Sequence, residues 1–219
     1  GIRRFEDTFT PGAYIITDQA NNQITAFNPG AMQYPSAYDF GQLDKADTIA
    51  IVAPGNLDDM RLYSRFYKNQ GVDTIFDPGQ SIPALTGEDL IEMITGCRYL
   101  ISNDYELEMI KKATGLSDTD LLDRCETMIT TLGADGSIIT TRNEKIDVPS
   151  VRIDNAVDPT GAGDAFRAGL IKGLVTNASL IEAVRMGTVC ASYAVEKAGT
   201  QVHTFTMAEF KDRYQSTFG

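Results

Sequence analysis

Thr48-Ile49-Ala50-Ile51-Val52-Ala53-Pro54-Gly55 is a short apolar run closed by a chain breaker, and a helical stretch at 57–67 follows it directly. A run of this length without polar alternation is what a strand buried on both faces looks like. The same unit recurs downstream. Thr74-Ile75-Phe76 ends at Asp77-Pro78-Gly79 and precedes a helical stretch at 90–94, and Tyr99-Leu100-Ile101 precedes another at 105–113. Strands alternating with helices of this size form βαβ units. Residues 46–219 are therefore expected to be an α/β core, a doubly wound and mainly parallel sheet flanked by helices. Two closer strands follow at 128–132 and 137–141, around the glycine-bracketed Gly133-Ala134-Asp135-Gly136. The last third reads as helices at 165–175, 180–195 and 207–214.

Residues 1–45 differ in texture. Ala13-Tyr14-Ile15-Ile16-Thr17 and Gln23-Ile24-Thr25-Ala26-Phe27 are β-rich, with a polar hairpin turn expected at 18–22, and Asn28-Pro29-Gly30 breaks the second strand. The 219 residues carry 19 Lys+Arg against 30 Asp+Glu, a net charge of −11. That balance argues against nucleic acid and anionic lipid as partners. No apolar run approaches the ~20 residues of a membrane-spanning helix. Cys97, Cys125 and Cys190 are far apart in sequence, and there is one histidine, so a zinc site is excluded and a reducing, cytoplasmic setting is expected.

The chemistry concentrates in Val157-Asp158-Pro159-Thr160-Gly161-Ala162-Gly163-Asp164-Ala165-Phe166, between extended chain and an amphipathic helix. Amide groups at a helix N-terminus, together with the helix dipole, attract an anion such as phosphate, and Gly161 and Gly163 let the backbone approach it closely. Asp164 then has two readings. It charges the helix start as many Asp residues do, or it faces the attacking group and takes a proton from an alcohol. A Walker A loop is absent, and Phe166 breaks the GxGxxG fingerprint.

This stretch resembles the C-terminal signature of the ribokinase-like, PfkB-type carbohydrate and nucleoside kinases, through Arg167-Ala168-Gly169-Leu170. Asn103-Asp104-Tyr105-Glu106 resembles the family's Asn-x-x-Glu, Thr131-Leu132-Gly133-Ala134-Asp135-Gly136 its nucleotide-side turn, and Ala198-Gly199-Thr200-Gln201 its loop near adenine. The resemblance implies ATP-dependent phosphorylation of a hydroxymethyl group. Asp164 would be the base and the amides of Gly161, Ala162 and Gly163 the anion hole. Thr131, Gly133, Gly136 and Gly199 would lie on the nucleotide. Asn103 and Glu106 would help hold Mg²⁺ through water, and Asp158 falls where some members bind a monovalent cation such as K⁺. On spacing alone Asn103 and Glu106 read as a capping box, like Thr86/Asp89, Ser117/Asp120, Ser179/Glu182 and Thr206/Glu209, and only their position after the third strand favours the metal role. His203 is a base contact or a structural histidine. Arg152, Arg167 and Arg185 are within the reach of phosphates, with nothing to choose among them.

The early hairpin looks like the lid of bacterial adenosine-kinase-like members, which makes adenosine the leading substrate and a ribose- or fructose-type sugar the alternative. Phe27 would stack on the substrate or pack inside the hairpin. A catalytically silent nucleotide-binding relative is the reading of another class. The oligomeric state is left as monomer or homodimer. Family members carry a further N-terminal segment before the lid. The expectation is thus the nucleotide-binding and catalytic two-thirds of a kinase, with activity of this chain by itself not implied.

Overall fold

The computed structural model describes residues 3–17, 23–40 and 43–219. The turn expected at 18–22 lies outside the described residues. On either side of it, β1 (Gly12–Thr17) and β2 (Gln23–Asn28) form a separate antiparallel pair in which Tyr14 faces Ala26 and Ile16 faces Ile24.

The main sheet has six strands in sequence order: β3 (Ile49–Val52), β4 (Asp73–Phe76), β5 (Tyr99–Asn103), β6 (Thr127–Thr131), β7 (Ser137–Thr140) and β8 (Lys145–Val148). The first four run parallel, and β6, β7 and β8 form an antiparallel meander. The parallel strands are joined through α1 (Leu57–Gln70), α2 (Gly87–Ile94), and α3 (Asp104–Thr114) with the short α4 (Asp118–Leu122). After β8 come α5 (Ala162–Val175), α6 (Leu180–Val195) and α7 (Met207–Phe218).

Period-two alternation divides the core between the two faces of the sheet. Val52, Phe76, Leu100 and Met128 point into one cluster with Met60, Leu90 and Ile110 of the first helices. Their neighbours Ile75, Ile101 and Ile129 point into the other, against Phe166, Leu170, Ala183 and Val184 of α5 and α6. Fully buried side chains such as Phe76 and Leu100 each contribute roughly 1.5–3 kcal/mol. Both faces are covered, which is why these strands read as unbroken apolar runs.

α4, read only as its Ser117/Asp120 cap, and β8 escape the sequence reading, and the start of α5 is displaced. β8 is Lys145-Ile146-Asp147-Val148, whose two apolar residues are too few to separate a strand from a loop. α5 begins three residues before the expected 165, because Gly161 supplies its N-cap in the left-handed conformation (φ 86°). That shift places Asp164 inside the first helical turn.

α5 and α6 pack backbone against backbone. A Cβ on Gly169 would stand 2.6 Å from the Met186 carbonyl oxygen, and one on Gly187 would stand 2.7 Å from that of Phe166. Neither neighbour is a side chain that can swing aside. Gly169→Val is therefore expected to destabilise the fold by at least ~2 kcal/mol, read as a lower urea midpoint. An unchanged midpoint would show that the two helices separate freely.

Candidate functional site

In open α/β sheets the carboxyl ends of the strands face the ligand crevice. Here those ends carry Asp77 after β4, Asn103 on β5 and Thr131 on β6, the last two side by side in the strand register. Asn56, just past β3, donates from its side-chain amide to the carbonyls of Met32 and Gln33 at 3.1 and 3.0 Å. The segment leaving the β1–β2 pair is thereby fastened to this same edge.

The N-terminus of α5 is brought to the edge by three sets of contacts. The amides of Val157 and Asp158 donate to the Val195 carbonyl at the end of α6, at 2.7 and 3.2 Å. The Asp158 carboxylate accepts from the amide of Thr160 and, across 41 residues, from that of Gly199, each at 2.9 Å. The Thr160 hydroxyl and these two amides hold the Asp158 carboxyl below the ordinary carboxylate value. A Cβ on Gly161 would come within 2.7 Å of the Thr200 carbonyl oxygen, so the 198–201 loop lies directly against the glycine turn.

Within the turn, the Ala162 amide is already spent on the Pro159 carbonyl (3.1 Å) and that of Ala165 on the Gly161 carbonyl (3.0 Å). The amides of Gly163 and Asp164 take no acceptor among the described residues. Of the three amides named from sequence, Ala162 is therefore occupied in this conformation. A helix N-terminus with open amides is an anion site in waiting.

The Asp164 side chain is 81 % exposed and accepts from Arg167 Nη1 at 2.9 Å. On its other side the guanidinium donates through Nε to Asp77, whose carboxylate has no solvent exposure at all. Burial pushes the Asp77 carboxyl up, and Arg167 pulls it back. Glu106 is likewise raised by burial, lowered by the Asn103 amide, and raised again by the charge of Asp77. Burial alone would lower the Arg167 guanidinium, yet Asp77, Asp164 and Glu106 together outweigh it and raise it. One half-buried cation thus pairs with two carboxylates at the edge of the sheet and feels the charge of a third.

Asn103 and Glu106 form a capping box at the start of α3: Glu106 accepts from the Asn103 amide (2.8 Å) and Asn103 from the Glu106 amide (2.7 Å). The four other pairs read as capping boxes are all present. Gly133 and Gly136 flank a one-turn 3₁₀ helix after Thr131, closed by the Leu132 amide on the Gly136 carbonyl at 2.8 Å. Phe27 sits on β2 opposite Ala13 and is half exposed, so it is not a hairpin core residue. His203 is half-buried, and its Nδ1 has no hydrogen-bond partner among the described residues. Sequence reading treated Asp77 only as the end of a strand and could not single out Arg167. The available signal was an acid placed where α/β sheets bind ligands.

Among the described residues no three His, Cys, Asp or Glu side chains converge as a metal cage, and no described helix is long and apolar enough to cross a membrane. The site combines open amides, a helix dipole, a held cation and an exposed carboxylate. It can bind an anion and accept a proton beside it.

The family profile of pfkB family carbohydrate kinases matches residues 1–206. A nucleoside kinase of Methanocaldococcus jannaschii is 33% identical over 214 residues, which are 96% of this chain and 68% of the relative. The structure of a nucleoside kinase of Burkholderia thailandensis in complex with inosine superposes with a TM-score of 0.88 at 34% identity, covering 97% of this chain and 69% of that one. A deoxyribokinase of Salmonella typhimurium is 27% identical over 212 residues, covering 90% of this chain and 66% of the relative. The chain thus spans about two thirds of the length of these relatives.

Arg167→Met leaves the Asp77 carboxylate buried without its cation, which is expected to cost about 3 kcal/mol of stability. Adding Asp77→Asn should recover most of that loss, measured by urea unfolding of wild type, both single variants and the double variant. A double variant no more stable than Arg167→Met would mean that the pair is not what holds α5 to the sheet.

Proposed function

Because the chain belongs to the pfkB family of carbohydrate kinases and is a nucleoside or sugar kinase of the ribokinase type, we propose that it phosphorylates the hydroxymethyl group of a purine nucleoside, adenosine first, with ATP as donor. The observation that carries this reading is Asp164, exposed in the first turn of α5 beside open amides and held by Arg167. In the reaction the substrate hydroxyl oxygen bonds to the γ-phosphorus, the bond to the bridging oxygen of the leaving ADP breaks, and the hydroxyl proton passes to Asp164. The amides of Gly161 and Gly163 would stabilise the charge spread over the transferred oxygens, with that of Ala162 joining them once it leaves the Pro159 carbonyl. Arg167 fixes the Asp164 carboxylate and offsets the crowding of acids around an anionic substrate.

A nucleoside is preferred to a free sugar because the matches to nucleoside kinases, at 33% and 34% identity, exceed that to the deoxyribokinase at 27%. Inosine in the neighbouring structure supports a purine. Phe27, exposed on β2, would stack on the base. Thr131, Gly133, Gly136 and Gly199 would flank the nucleotide.

Mg²⁺ fits Asn103 and Glu106. Their oxygens are held in place by the capping box, and the lack of a third converging acid among the described residues suits an ion that keeps its waters and leans on phosphates. When bound, it supplies positive charge to the phosphate oxygens. For K⁺, each Asp158 carboxylate oxygen accepts one backbone amide, which braces the glycine turn against the 198–201 loop, and keeps a lone pair that could face a cation.

Asp164→Asn should lower turnover by at least ~10²-fold while binding of a non-hydrolysable ATP analogue is retained. A variant at the wild-type rate would overturn the mechanism, and a wild-type protein that binds nucleotide but never turns over would favour the catalytically silent relative. In a thermal-shift panel with that analogue, adenosine and inosine are expected to raise the melting temperature more than ribose or fructose. The opposite ranking would assign the protein to the sugar kinases.

A further inference from the structure

At the amino ends of the strands, opposite the crevice, Cys97 and Cys125 lie side by side. β5 and β6 pair in parallel with Tyr99 beside Thr127, and each cysteine stands two residues before its strand's first paired residue. Backbone hydrogen bonds bracket the two positions: the Gly96 amide donates to the Arg124 carbonyl at 2.8 Å, and the Thr127 amide to that of Arg98 at 3.1 Å. Neighbouring strands are about 4.8 Å apart, which falls within the ~4.4–6.8 Å Cα separation that a disulfide spans. Both side chains are buried and belong to the same core cluster.

Buried thiols are ordinarily inert, but these line a cavity of about 440 Å³ with Arg124 and Arg142. The two sulfurs are also unequal. The neighbouring Cys97 and the charge of Arg142, which lines the same cavity, hold the Cys125 thiol low against its burial. Cys97, buried beside Cys125, is pushed up. Cys190, half-buried on α6, has no such neighbours, and burial takes its thiol up to about 11.

We propose that Cys97 and Cys125 form a reversible dithiol–disulfide couple oxidised by hydrogen peroxide that enters the cavity they line. The Cys125 thiolate attacks one peroxide oxygen, the O–O bond breaks, and the departing hydroxide takes a proton to leave as water. Cys97 then attacks the Cys125 sulfur of the resulting sulfenic acid. The S–O bond breaks, the S–S bond forms, and the Cys97 proton leaves with the second water. Two thiols give two electrons to one peroxide. A small thiol reverses the step by two exchanges. The bond lies at the end of the sheet away from Asn103 and Thr131, and it closes residues 98–124, which include β5, α3 and α4, into a loop.

The test is mild peroxide treatment of the folded chain, followed by alkylation, intact mass and peptide mapping. Expected are a loss of about 2 Da, protection of two of the three cysteines, a Cys97–Cys125 cross-linked peptide, and full reversal by dithiothreitol. Cys97→Ser should leave Cys125 trappable by dimedone as the sulfenic acid, and Cys125→Ser should abolish the fast reaction. Oxidised chain should also unfold at higher urea than reduced chain. No mass loss, a cross-link through Cys190, or reaction only in denaturant would overturn the proposal. Mapping of the wild type decides it even where a serine variant does not fold.

Discussion

A carboxylate with no exposure to water must be neutralised from inside the protein, and at Asp77 the cation arrives from a helix ninety residues further along the chain. This constraint organises the crevice. Asp77 sits where β4 ends, so the guanidinium of Arg167 has to reach the carboxyl edge of the sheet. Arg167 lies one turn inside α5, so meeting Asp77 fixes how far the helix start projects and where Asp164 stands. The close approach at Gly169 and Gly187 lets α5 lie down on α6 without moving that start. Sheet, helix pair and glycine turn are thereby set by one buried ion pair, whose partners are each costly to leave alone.

Much of this was legible in the residues, for a physical reason in each case. Parallel strands covered on both faces appear as apolar runs, so β3 to β6 stood out, whereas Lys145-Ile146-Asp147-Val148 did not. Capping boxes are local contracts between residues three apart, and all five are met. The open amides at α5 followed from glycines before a helix, but not that Ala162 would give its own N–H to Pro159.

What could not be read were long-range partnerships. Asp77 is indistinguishable from any turn-forming aspartate until Arg167 is folded against it. Among Arg152, Arg167 and Arg185, only the fold picks the one that pairs with two carboxylates and feels the charge of a third. That Asp158 also braces the glycine turn was hidden, because its partner Gly199 lies 41 residues away. Exposure of Phe27 was equally hidden, because it depends on whether the small hairpin packs on the rest or stands apart from it.

The capping boxes carry one further consequence, for the behaviour of the molecule in acid. Asp89, Asp120, Glu182 and Glu209 each close a box, and in each the bonds to the box hold the carboxyl below its ordinary value. For Asp89 the leading contribution is the ion pair with Arg61, followed by Thr86. For Glu209 the amide of Thr206 leads. A group whose folded value is depressed lends stability that is complete above the unfolded carboxylate range and is lost as pH falls through the folded one. Four helix starts, on both faces of the sheet and at the C-terminus, are thus latched by the same ionisation. Acid would release each as pH falls through its own lowered value, Asp89 last because Arg61 holds it as well.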